Sequence, residues 1–214
     1  MISPGERPVW RSDSSVLLHR SFLAGCASAP PRPRPPGPAL IAAANQGNPM
    51  AEADLGIRTL AWARSSSERQ TGAAWIERAA QANLAMAQAR LGNLYLSGTG
   101  VPQDTSQALM WLNRAARRGA PAAQLQLAAI YAVGAIVPVD KAKAYYWYCV
   151  AAKPVQSDVT IFNINRVRLF ALRRAETLGP SLTSAERASV SRDVTAWVPI
   201  SSVPYSGHVY LGSP

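Results

Sequence analysis

A 36-residue period governs this chain. Laid on itself with that shift, Trp75, Trp111 and Trp147 coincide. So do Ala79-Ala80, Ala115-Ala116 and Ala151-Ala152. Leu55, Leu91 and Leu127 align, as do Tyr95 with Tyr131, Gly98 with Gly134, Val101 with Val137, Asp104 with Asp140 and Ala108 with Ala144. A unit of this size cannot bury its apolar face alone, so copies must stack and share a core. The period therefore restricts the chain to a solenoid before any single residue is considered.

Each copy resolves into two helices. In the second copy Ala87, Leu91, Leu94 and Tyr95 fall at i, i+4, i+7 and i+8, one face of a helix. Gly98 follows, where a helix end takes a left-handed residue. Gly100, Val101 and Pro102 make a tight loop, with Val101 as its apolar plug. Asp104 stands at an N-cap position with Gln107 three residues on, close to a capping-box pattern. The next helix carries Ala108, Trp111, Leu112, Ala115 and Ala116 along one stripe, and Gly119 closes it. The same logic predicts helix pairs over 50–63 with 70–82, 86–97 with 105–118 and 121–133 with 141–152. Alanine is the commonest residue, leucine and arginine are abundant, and the strand-like runs are short, which favours an all-α fold.

The second copy, LGxxYxxGxGVPQDxxQAxxWLxxAAxxG from Leu91 to Gly119, resembles the Sel-one-like repeat family, relatives of the tetratricopeptide repeats. The third copy keeps Tyr131, Gly134, Val137, Asp140, Ala144, Trp147 and Ala151-Ala152, with Ala128 at the glycine position. The first keeps Leu55-Gly56 and Trp75, but has Thr59 for the tyrosine and Arg64 to Gln70 in place of the glycine loop. The resemblance covers roughly residues 45–152. It implies a right-handed α/α solenoid of about three helix pairs that binds protein segments, with the inner helices lining a groove. The polar residues of those helices outside the core stripe are Gln88, Arg90, Asn93, Gln124 and Gln126. They are the expected binding residues, Gln88 and Gln124 forming an amide ladder for an extended peptide. On that reading, replacing all five abolishes binding and leaves the melting temperature unchanged.

The remaining chemistry is sparse. The net charge is +10, from 22 basic and 12 acidic residues. The excess is spread evenly along the chain rather than gathered into a nucleic-acid footprint, so no nucleic-acid partner is expected. His19 and His208 lie in opposite tails, no Cys/His cluster has metal spacing, and no nucleophile elbow, phosphate loop or dinucleotide fingerprint appears. No cofactor, metal or enzymatic activity is expected. Glu52 and Asp54 read as surface charges, and Cys149 as a buried structural thiol.

The flanks carry the other expectations. Residues 1–44 read as a disordered leader, with Ala29–Pro38 as an extended proline-rich tether. Leu23-Ala24-Gly25-Cys26 resembles a bacterial lipobox; either Cys26 becomes a lipidated N-terminus or the tetrapeptide is incidental. The first alternative places the protein in the cell envelope, attached to the membrane through Cys26, and the second in the cytoplasm. Residues 153–198 read as a C-terminal helical cap. One helix runs from Asp158 to Thr177, with Ile161, Ile164, Val167, Leu169, Phe170 and Leu172 as its apolar members, and another ends near Trp197. Residues 199–214 read as an irregular tail. The alternative function is a regulatory or anionic-surface binder using the basic helix 165–174, which holds Arg166, Arg168, Arg173 and Arg174.

Overall fold

The computed structural model describes residues 36–153 and 162–200, the side chains of 162–165 excepted. The described residues are helical with no strand. In chain order the helices are α1 (Pro38–Asn45), α2 (Pro49–Trp62), α3 (Ser66–Gln81), α4 (Ala85–Ser97), α5 (Thr105–Arg117), α6 (Pro121–Val133), α7 (Lys141–Ala152), α8 (Phe162–Leu178) and α9 (Ser184–Ala196). A short 3-10 turn, Gly179–Ser181, joins α8 to α9. The helices α2/α3, α4/α5 and α6/α7 form hairpins, and each hairpin stacks on the next through α3/α4 and α5/α6. This is an α/α solenoid.

Local chemistry places the helix ends. Asp104 accepts a hydrogen bond from the Gln107 amide at 3.0 Å and Asp140 one from the Lys143 amide at 2.9 Å, so each N-cap fixes the start of a second helix. Gly98 and Gly134 close α4 and α6 in the left-handed region. The first hairpin lacks this glycine loop and is rescued by a capping box: Ser65 Oγ accepts from the Glu68 amide, and Glu68 accepts in return from the Ser65 amide. Helix α3 therefore begins at Ser66, four residues before the predicted position.

Small residues set how closely the paired helices cross. A Cβ on Gly56 would lie 2.8 Å from Ile76, and one on Gly92 2.7 Å from Leu112. Ala128 holds the equivalent place in the third hairpin and is fully buried. The loop glycine Gly100 is more tightly bound still. Its φ is +73° and a Cβ there would sit 2.2 Å from the Arg69 carbonyl oxygen, so the second hairpin's loop lies directly against α3. The repeated alanines, with Leu91, Leu112 and Leu127, form the continuous core between layers.

Both ends differ from expectation. The segment 38–44, assigned to a disordered leader, is the helix α1, whose Ala44 is fully buried with Ala51 and Leu55. Ala43-Ala44 stand one period before Ala79-Ala80, so α1 holds the register of α3, a second helix of the repeat. At the other end, α8 and α9 each pack on α7. Ala171 and Ala175 make the buried face of α8, while Leu169, Phe170 and Leu172, read as its apolar members, are exposed. The helical phase explains the correction: Ala171 and Ala175 stand four apart on the face toward α7, and the three large residues lie off it. Helix α9 is tied to α7 by Lys153, whose Nζ donates to the carbonyls of Val194 and Trp197 at 2.8 and 3.0 Å.

Candidate functional site

The expected ladder of amides is structural. Gln88 and Gln124 are 0% and 3% exposed. Gln88 Nε2 donates to the Ala80 carbonyl at 3.1 Å, and Gln124 Nε2 to the Ala116 carbonyl at 3.0 Å. Those carbonyls belong to the last turn of the preceding second helix, where each also accepts from a turn amide, Asn83 or Gly119, at 3.0 Å. Each amide thus locks one hairpin to the one before it and faces no ligand. Arg168 fills the same place on α8, its Nε donating to the Ala152 carbonyl at 3.0 Å. Ala80, Ala116 and Ala152 are successive copies of one position, so α8 continues the register of α4 and α6.

The first hairpin has Glu52 at this position. It is buried, not a surface charge, and its Oε1 meets Arg78 Nη2 at 2.8 Å. Arg78 lies over the Trp75 ring at 4.6 Å, as Arg114 lies over Trp111 at 5.0 Å one period later. A carboxylate cannot donate to a carbonyl, so the first hairpin exchanges the amide bond for an ion pair. Asp54 pairs along its own helix with Arg58 Nε at 3.1 Å.

The other three predicted residues occupy a free surface of α4 and α6. Arg90 is exposed and is the one charged residue on these two helices. Asn93 and Gln126 are half-buried and meet across the hairpins, Gln126 Nε2 donating to Asn93 Oδ1. Around them Met86 and Val133 are exposed, Val133 at 71%. The structure therefore brings Arg90, Asn93 and Gln126 to one surface and removes Gln88 and Gln124 from it. A second concavity of about 280 Å³ lies between the first turn of α3 and the Gly98–Pro102 loop, beside Arg69 and Gln70.

The titratable groups serve architecture. Cys149 is half-buried; burial pushes its thiol up, against a hydrogen bond with Tyr145 that lowers it. Backbone hydrogen bonding from Lys143 holds the Asp140 carboxyl below the usual range, with help from the Lys143 side chain at 3.0 Å. Among the described residues no group of acidic, histidine or cysteine side chains could hold a metal, and no helix is long and apolar enough to cross a membrane. Cys26 lies outside the described residues.

Stacked helical hairpins with one repeated inter-hairpin bond define a repeat solenoid of the tetratricopeptide-like class. More narrowly, the Sel1 repeat family model matches residues 85–119 and 121–153, and these hairpins are Sel1 repeats. The chain is similar to the solved structure of c5321, a protective antigen present in uropathogenic Escherichia coli strains that displays an SLR fold. Identity is 28% and the TM-score 0.62, over 75% of this chain and 32% of that one. A Sel1 repeat protein from Oxalobacter formigenes is 34% identical with a TM-score of 0.48, over 61% of this chain and 36% of that one. The chain thus spans about a third of the length of either protein. A search of the curated proteins found no match.

Proposed function

We propose that the chain is a non-enzymatic scaffold that binds a protein segment on the shared surface of α4 and α6. The observation that carries this reading is the setting of Arg90. Its guanidinium has no partner among the described residues; apolar Met86 and polar Asn93 share its face of α4, and Gln126 of α6 is bonded to Asn93. An extended segment with one carboxylate among apolar side chains matches that surface in charge and polarity. The repeat family supports the reading, since helical repeat arrays present such surfaces to protein partners.

Photo-crosslinkers placed at Arg90 and Val133 test it in cells, with one at Met110 on α5 as the control. Adducts of one discrete mass at positions 90 and 133, absent at 110, are the expected outcome. Equal labelling at all three positions would discard the surface. We place the protein in a bacterial cell envelope, supported by the lipobox-like Leu23-Ala24-Gly25-Cys26. Intact mass and membrane fractionation beside Cys26→Ser test this assignment: an unmodified leader in the cytosol refutes it.

A further inference from the structure

Because Arg168 repeats the bond of Gln88 and Gln124, the positions of α8 follow those of α4 and α6. Phe170 then stands where those helices carry Arg90 and Gln126, Arg173 where α4 carries Asn93, and Arg166 where α4 carries Met86. Helix α8 also packs on α6, so the exposed face shared by α4 and α6 runs on across α8. Arg166, Phe170, Arg173 and Arg174 are all exposed there, Arg174 lying over the Phe170 ring at 5.3 Å. These three arginines fall within about 60° of Phe170 around the helix, whereas Glu176 falls about 120° away. Arg166 and Arg173 have no partner among the described residues. On α2 the position of Arg90 holds Asp54, already paired with Arg58 at 3.1 Å. Uncompensated positive charge on this face therefore begins at Arg90 and ends at α8. Between the two lies α6, which carries no charged residue.

We propose that this face takes an extended acidic segment of a partner protein, with one carboxylate on Arg90 and a second between Arg166 and Arg173. It rests on binding at the α4–α6 surface, to which α8 adds a second anchor and an acidic requirement. Neighbouring first helices stand roughly 10 Å apart, so the two anchors lie on the order of 20 Å apart, about six residues of extended chain. The spacing of charge favours a peptide over a polyanion. A nucleic acid or an anionic bilayer would set charge against the exposed Ala122, Ala129 and Val133 of α6, whereas a peptide places apolar side chains there. Hydrogen bonding favours the same occupant. The bond from Gln126 Nε2 to Asn93 Oδ1 leaves Asn93 Nδ2 and Gln126 Oε1 without a partner among the described residues. A backbone peptide unit supplies the matching acceptor and donor. A phosphate ester supplies acceptors only and would leave the Gln126 oxygen unpaired.

Selection of random twelve-residue peptides displayed on phage, with the full chain immobilised, tests the proposal. The expected sequences carry two acidic residues about six apart with apolar residues between them. A fluorescent peptide of that kind, and its copy with one acid replaced by glutamine, are then titrated by anisotropy. The double variant R166A/R173A should lower affinity for the two-acid peptide about tenfold and leave the one-acid peptide held by Arg90 unchanged. Arg90→Ala should weaken both, and every variant should melt with the wild type, since the three arginines are exposed. Enrichment of neutral or basic peptides, or of none, overturns the proposal. A one-acid peptide that needs Arg90, beside a two-acid peptide indifferent to R166A/R173A, would end the extension to α8 and leave the α4–α6 surface standing. Acidic peptides indifferent to Arg90→Ala would end both. Chain that takes up no acidic peptide but sediments with phosphatidylglycerol vesicles, and loses this in R166A/R173A, would overturn the proposal and assign the arginines to a lipid surface.

Discussion

Gln88 and Gln124 show how one residue type joins successive hairpins. Each amide is buried, and each adds a second hydrogen bond to a carbonyl at a helix end that the next hairpin covers. Replacing Gln124 with Ala removes the donor and leaves a cavity, so stability should fall by about 1–3 kcal/mol. A urea titration that finds no loss would show the bond to be dispensable. The Glu52 position makes a sharper test, because the same slot holds a charge. Glu52→Gln keeps the size, removes the buried charge and allows an amide bond like those of the later hairpins. Arg78→Ala instead leaves a buried carboxylate without its cation, which costs about 3 kcal/mol where burial is complete and less beside the half-exposed Arg78. Denaturant midpoints should therefore rank wild type close to Glu52→Gln and well above Arg78→Ala; the opposite order would rule out the ion pair as the reason for Glu52. A polar residue recurring at the repeat period fits a ligand ladder and a structural bond equally well. Only burial separates the two, which is why Gln88 and Gln124 were legible as a pair and not in their role.

Helices obey rules that can be read along the chain, and here caps and glycines carry most of the information. Asp104 and Asp140 cap α5 and α7 as their spacing requires, and Gly98 and Gly134 end α4 and α6. Asp140→Ala should cost about 1 kcal/mol, the usual worth of such a cap. The pH dependence has a definite sign. Hydrogen bonding depresses the folded carboxyl below its unfolded value, so its contribution is present above about pH 4 and fades as pH falls through the folded value. The gap in thermal stability between wild type and Asp140→Ala should accordingly narrow on acidification, and a gap that widens would refute the assignment. The terminal helices were less legible for a physical reason. The short α1 has a weak pattern of its own, and its existence depends on α2 covering Ala44. In α8 the large apolar residues drew attention, whereas the face that packs is Ala171 and Ala175, small residues at the spacing of the repeated alanines.

At the scale of the whole molecule, a solenoid distributes stability by nearest neighbours. Among the described residues α4, α5 and α6 are flanked on both sides, whereas α1 packs chiefly on α2, and α8 and α9 share α7. Local opening should therefore begin at the ends, and amide exchange should slow from the ends toward α5. Lys153 is the test of how the C-terminal end is held, since one ammonium caps two carbonyls of α9 and lies 5.7 Å from the Trp197 ring. The segment beyond α9 is held by other bonds: the Ile200 amide donates to the Arg117 carbonyl at 2.9 Å and Pro199 lies against Gly119. Lys153→Ala deletes hydrogen bonds from a charged donor in a partly buried setting, worth about 1.5 kcal/mol, which is roughly a tenfold change in an opening equilibrium. Hydrogen exchange read by mass spectrometry should show α9 amides exchanging about tenfold faster in this variant, with α4 to α6 unchanged. If α4 to α6 speed up equally, the solenoid opens as one cooperative unit and the nearest-neighbour description fails. If nothing changes, α9 is held by its apolar contacts through Val190 and Trp197, and Lys153 only decorates an interface that exists without it.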